Sequence, residues 1–195
     1  MKRFTTVLCA AALTLGMGMS AVAAPSIGSL IPEKPVIVSG ELPEGYTLAV
    51  QDADTESYEN KDVADIVAKF NDDETEVSVK DVLDALKIDL TAEIKTESGT
   101  VIDPTEYDAV TPFVDLVITD GAKVEYTLDD KVKATLSVEV AKELEQDDLL
   151  IMQIDQKDGD VYFIELDEYV PETGEITAEF PCLGPFAVLE KSQEA

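Results

Sequence analysis

Carboxylates are the reactive side chains that this sequence supplies in quantity. The chain has 42 Asp and Glu residues against 14 Lys and Arg residues, no His and no Trp, and its net charge is −28. Without His, the sequence excludes an imidazole base, a His-activated nucleophile and the common zinc and haem sites. The available chemistry is therefore that of carboxylates, hydroxyls, amines and thiols.

Calcium is the metal that such a carboxylate-rich chain suits, because it takes about six to eight oxygen ligands. The segment 155–160 does not fit the EF-hand pattern, since Lys157 and Gly159 stand at two ligand positions. Asp158-Gly159 instead predicts a hairpin turn. A calcium site built from several loops remains open, and its ligands are unassigned. The candidate suppliers are acidic residues of predicted loops: Asp52, Asp54, Asp72, Asp73, Asp129, Asp130, Asp147 and Asp148.

Paired carboxylates also hydrolyse glycosidic bonds when they stand at a set separation. With 42 acids, pairs arise by chance, so they indicate no particular catalytic residue. The sequence contains no Ser-x-x-Lys dyad and neither the Asp-Thr-Gly nor the Asp-Ser-Gly motif. We expect a protein that is not an enzyme and has no required cofactor, with a carboxylate-based extracellular hydrolase or a calcium-dependent surface binding module as alternatives.

The first 23 residues have the pattern of a secretory signal peptide. Lys2 and Arg3 precede an apolar run from about Val7 to Met19, and Ala21-Val22-Ala23 offers small residues at a cleavage site. We therefore expect residues 1–23 to be removed and the protein to be secreted. The apolar run is shorter than the roughly 20 residues of a membrane-spanning helix, so we expect no membrane insertion.

Cleavage after residue 23 would make the remaining chain more acidic. The number of basic residues would fall from 14 to 12, all of them Lys, and the net charge would become −30. Such a charge repels nucleic acid and anionic membrane surfaces, so neither is an expected partner. Cys182 would be the one remaining cysteine, which excludes an internal disulfide. We expect it to be a buried small side chain, with an intermolecular disulfide as the alternative.

Two helices are predicted in the first half of the chain. Residues 24–35 are rich in proline and predict an extended lead-in, and residues 36–87 predict a small α+β segment. Its strand-like parts lie at about 36–38 and 46–50. Each helix has one apolar stripe with spacing i, i+3, i+4, i+7, formed by Val63, Ile66, Val67 and Phe70 in the first and by Val79, Val82, Leu83 and Leu86 in the second. Asn60 is the predicted N-cap of the first helix, and Ser78 with Asp81 is a predicted capping box for the second.

From about residue 88 to residue 191, apolar residues recur every two residues, as in a strand, instead of about every 3.6 residues, as in a helix. About seven short strands follow one another in the last 80 residues, with turn signals roughly every ten residues. This rhythm predicts an antiparallel β-sandwich in which each strand buries one face and exposes the other. The fold class is thus mostly β with a small α part, in which two amphipathic helices lie N-terminal to the sandwich. In the alternative architecture, strands 36–51 belong to the sandwich and the helices are an insertion.

The segment 110–190 resembles Ig-like modules found at the C-termini of secreted proteins of Gram-positive anaerobes. The residues that carry the resemblance are Leu149, Ile151 and Gln153, Asp158-Gly159, Val161-Tyr162, Ile176-Thr177-Ala178, and Leu183-Gly184-Pro185-Phe186-Ala187. The resemblance implies an Ig-like β-sandwich on an exported bacterial protein with a structural or adhesive role. The expected partner is an extracellular protein or glycan whose identity is unknown. No catalytic or binding residue follows from the resemblance.

Overall fold

The computed structural model describes residues 35–192, apart from Asp73 and Asp129. The predicted signal peptide, residues 1–23, and the lead-in up to residue 34 lie outside the described residues. In chain order the strands and helices are β1 (Val36–Ser39), β2 (Thr47–Asp52), α1 (Lys61–Phe70), α2 (Val79–Ala85), β3 (Ile94–Lys95), β4 (Val101–Ile102), β5 (Tyr107–Ala109), β6 (Val114–Thr119), β7 (Val124–Glu125), β8 (Val132–Ser137), β9 (Leu149–Ile154), β10 (Val161–Glu165), β11 (Glu168–Val170), β12 (Glu175–Phe180) and β13 (Gly184–Lys191).

Two antiparallel sheets form the body of the protein. The small sheet has the strand order β1-β8-β12-β11, and the large sheet has the order β10-β9-β13-β6-β2. Strand β5 pairs with the end of β13, and β7 forms a hairpin with the end of β6. A separate two-stranded hairpin consists of β3 and β4. The prediction of a mostly β protein with antiparallel sheets is confirmed.

The two sheets pack on a shared apolar core. In the small sheet, β8 alternates: Val132, Ala134 and Leu136 are buried, while the residues between them are half-buried. This period of two is what a strand with one face on the core requires. The other main contributors to this core are Leu116, Ile118, Ile151, Ile164, Ile176, Ala178, Phe180, Phe186 and Val188.

The large sheet is buried on both faces. The prediction that every strand buries only one face is therefore wrong for the central strands of this sheet. All six residues of β9 are buried, and so are the first six of β13. The physical reason is a second apolar core between this sheet and the helices. Its members include Val63, Val67, Val82 and Leu83 from the helices and Leu150, Met152, Phe163 and Leu189 from the sheet. The uninterrupted apolar run Leu149–Met152 is typical of such a strand.

Both helices begin where their capping residues predict. The Asn60 side chain accepts hydrogen bonds from the backbone N–H groups of Asp62 and Val63. Ser78 and Asp81 form the reciprocal capping box. On α1, Phe70 is only half-buried and meets Phe113 edge to face, with ring centroids 4.9 Å apart.

The placement of the helices N-terminal to the sandwich is wrong. Strand β2 pairs with β6 over six residues in the large sheet, and β1 pairs with β8 in the small sheet. The helices therefore lie between β2 and β3, as an insertion on the outer face of the large sheet. This is the alternative architecture, and the two sheets extend beyond the expected boundaries 88–191 to include residues from 36–52. Leu48 of β2, which is 2% exposed, packs in the core between the sheets.

Candidate functional site

The acidic residues proposed as calcium ligands are spread over the molecule. Asp52 ends β2, Asp72 caps a turn after α1 by accepting from the Glu74 N–H at 3.0 Å, and Asp147 and Asp148 lie in a 3-10 turn before β9. Asp73 and Asp129 lie outside the described residues. Among the residues with described positions, no three His, Cys, Asp or Glu side chains come together in a way that could hold a metal ion.

One of these candidates, Asp54, instead helps to hold a buried carboxylate that the sequence analysis did not single out. Asp115 of β6 is fully buried, and its Oδ2 accepts from the Asp54 N–H at 2.9 Å and from the Tyr126 O–H at 3.0 Å. Its Oδ1 accepts from the Tyr58 O–H. The signal in the sequence was a lone acid inside the apolar run of β6.

Electrostatics distinguish this cluster from the exposed acids. Burial raises the pKa of Asp115, although the three hydrogen bonds oppose the shift. Burial also raises the pKa of Tyr126 to about 12 and raises that of Tyr58, so both phenols stay protonated as donors. The cluster ties the segment before α1 to the large sheet. Enclosed in this way, it is an internal anchor rather than a site open to a ligand.

A polar cleft of about 560 Å³ lies beside the β3–β4 hairpin. It is lined by the acidic side chains of Asp103, Glu106, Asp147 and Glu165 together with Lys191. Internal partners occupy several of these groups, because Lys191 Nζ lies 3.2 Å from Glu106 Oε2 and Glu165 accepts from Ser98 and Thr96. The cleft is therefore a charged surface depression in which Glu106, Glu165 and Lys191 already have partners within the chain.

Cys182 lies in the turn between β12 and β13. Burial raises the pKa of its thiol to about 12, so the reactive thiolate is scarce at neutral pH. Its carbonyl oxygen accepts from Gln153 Nε2 at 2.9 Å, which ties this turn to β9. Cys182 is half-buried rather than fully buried, so the expectation of a buried small side chain is met only in part.

Strand β1 is the feature that a structural role inside the molecule does not explain. Val36, Ile37 and Val38 are 65%, 37% and 55% exposed, and they are three of the six large apolar side chains exposed among the described residues. The strand stands at the end of the small sheet and pairs on one side with β8. Along its other side, no strand within residues 35–192 supplies partners for its N–H and C=O groups.

Strand β1 and its neighbour β8 carry no acidic residue, although the chain is strongly acidic. Strand β1 has no charged residue, and Lys133 is the one charged residue of β8. Two acidic groups near β8 are paired, since Lys133 Nζ lies 3.2 Å from Asp167 Oδ2 and Lys131 Nζ lies 2.9 Å from Glu97 Oε2. Other acids stand nearby, because Asp130 precedes β8 and Glu175 of β12 lies opposite Ser137. The sequence predicts a strand here, but the exposure of that strand depends on its place in the sheet and has no local signal.

Comparison of the chain with protein-family models, with curated proteins and with solved structures gives no match. In the part of the chain that the structure describes, no helix has the length and apolar character needed to cross a membrane.

Proposed function

We propose that this chain is a secreted, non-enzymatic interaction or structural protein that binds an extended segment of a partner along β1. The observation that carries the proposal is the edge of β1 that no strand within residues 35–192 covers, with its three consecutive exposed apolar side chains. Natural proteins usually protect such an edge with charges, proline or a covering element, because an unpaired strand accepts another strand. Strand addition is an established mode of peptide recognition, in which main-chain hydrogen bonds provide the binding energy.

The Ig-like character of the module and its export are part of the same proposal. Two antiparallel sheets packed on one core support an Ig-like architecture, although the large sheet also has helices on its outer face. The basic start, apolar run and Ala21-Val22-Ala23 support secretion. The partner is an extracellular protein, or a glycan contacted by the adjoining sheet face.

The polar cleft is the place where the alternative hydrolase would act, and its chemistry argues against that function. A carboxyl group that serves as general acid needs a raised pKa. The pKa of Asp103 is instead lowered by hydrogen bonds from the side chain and backbone of Thr105. Glu106 and Glu165 already bind neighbouring residues. A binding role is therefore better supported than hydrolysis.

The test is a β1-dependent capture experiment. Residues 24–195, as wild type, Val38→Lys and Val124→Lys, are used as baits on extracellular proteins, with a tagged copy of this chain among them, and on glycans. Val124 is the matched control, since it is an exposed strand valine at 44% against 55% for Val38. We expect a partner that the wild type and Val124→Lys retain and Val38→Lys loses, because a Lys on an edge strand hinders strand addition. Equal retention by all three baits, or none by any of them, would contradict the proposal.

A further inference from the structure

We propose that the strand added to β1 is β1 of a second copy of this chain, so that two small sheets become one continuous sheet. This inference rests on the proposed function and names its partner. In a twofold dimer the same patch faces itself, and antiparallel β1 strands would be neighbours across the axis. Each copy would then supply the hydrogen-bond groups that the outer side of the other's β1 requires.

Charge restricts where two copies can meet. With a net charge of −28, two molecules repel each other over most of their surfaces. The β1–β8 pair is an exception: β1 is uncharged and β8 contributes only Lys133, so the pair has a net charge of +1. The nearby acids Asp167 and Glu97 are neutralised in part by Lys133 and Lys131. Contact at β1 therefore brings together two strand pairs that carry no acidic residue.

The same surface accounts for the attraction. Val36, Ile37 and Val38 are exposed in a single copy, and a second β1 alongside would remove part of their apolar area from water. Two four-residue strands alone bury less than the roughly 1,200 Å² of a stable interface. We therefore expect a weak dimer, with a dissociation constant of about 0.1 mM, that forms as concentration rises.

The effect of ionic strength on binding distinguishes a second copy of this chain from a basic partner. The Debye length shrinks from about 30 Å at 0.01 M to about 8 Å at 0.15 M salt, so repulsion between two acidic copies weakens as salt is added. The dimer should therefore become tighter with salt. A basic partner would be attracted to the acidic surface and would be released by the same addition.

The experiment is sedimentation equilibrium of residues 24–195 over a range of concentrations at about 0.01 M and about 0.15 M NaCl. The wild type is compared with Val36→Lys/Val38→Lys and with Val124→Lys/Val170→Lys. Both variants add two positive charges, and the control pair includes β11, the opposite edge of the small sheet. Circular dichroism and thermal unfolding establish that each variant is folded. We expect the wild type and the control to dimerise about tenfold or more tighter than the β1 variant, and more tightly at the higher salt.

A wild type that stays monomeric up to millimolar concentration would overturn the inference. So would a dimer that the β1 and control substitutions weaken equally, or one that added salt dissociates. These outcomes leave the proposed function separately testable. A monomeric chain that still captures an extracellular partner through β1 would show that strand addition occurs with a different occupant. A dimer lost in the β1 variant supports both proposals.

Discussion

At the scale of single residues, Asp115 should contribute to the pH dependence of stability. Because burial raises its pKa in the folded state, the fold favours the neutral acid over the carboxylate. Its contribution to stability is therefore present at low pH and is lost as pH rises through the folded-state pKa. We expect Asp115→Asn, which stays neutral, to lose less unfolding free energy than the wild type between about pH 4 and about pH 7.

Urea unfolding across that pH range measures the effect. Glu56→Gln is the control, because Glu56 is an exposed acid in the same segment before α1. The difference in pH slope should appear in Asp115→Asn and be absent in the control. Parallel stability curves for wild type and Asp115→Asn would mean that the buried carboxyl has the same pKa in the folded and unfolded chains. Removal of the acceptor in Asp115→Leu should cost about 1–3 kcal/mol for each phenol or amide left unpaired.

At the scale of elements, the capping box is the clearest local signal for the start of a helix. Ser78 and Asp81 satisfy each other's backbone N–H groups at the start of α2. We expect Ser78→Ala to lower the free energy of unfolding by about 1 kcal/mol, because α2 loses its side-chain cap. Lys80→Ala is the comparison on the same helix. It breaks an exposed ion pair with Asp84, which contributes little to stability because water screens both charges. Chemical unfolding measures both, and a smaller effect for Ser78→Ala would contradict the prediction.

Elements with local signals could be predicted from the sequence. Asn60 and Ser78 mark the starts of the helices, and Asp120-Gly121 and Asp158-Gly159 lie in the turns between β6 and β7 and between β9 and β10. Glycine is needed in both turns, with φ angles of 88° at Gly121 and 81° at Gly159. Such patterns act over a few residues and are read without knowledge of the rest of the fold.

Long-range pairing could not be predicted in this way. The register that joins Val36 to Thr135 connects distant parts of the chain, and no local pattern specifies it. The exposure of β1 depends on that pairing, and the burial of Asp115 depends on the pairing of β6 with β2 and on the positions of Tyr58 and Tyr126. The candidate site therefore escaped the sequence analysis, whereas the acidic loops that attracted attention as metal ligands do not converge within the described residues.

At the scale of the whole molecule, the net charge of −28 should make stability depend on salt without requiring a specific ion. Screening weakens repulsion within the folded chain, so we expect the melting temperature to rise between about 0.01 M and about 0.15 M NaCl. We expect Ca²⁺ and Mg²⁺, compared at equal concentration after treatment with EDTA, to raise it by the same amount. A larger increase with Ca²⁺, measured by calorimetry, would instead support the calcium-dependent alternative.

The position of β13 has a consequence for the order in which the chain can acquire its structure. The last strand of the sequence lies inside the large sheet, with β9 on one side and β5 and β6 on the other. A growing chain that ends before Gly184 contains β9 with β10 and β2 with β6, but not the strand that joins these two halves. Completion of the sheet must therefore wait until Gly184–Lys191 has been synthesised.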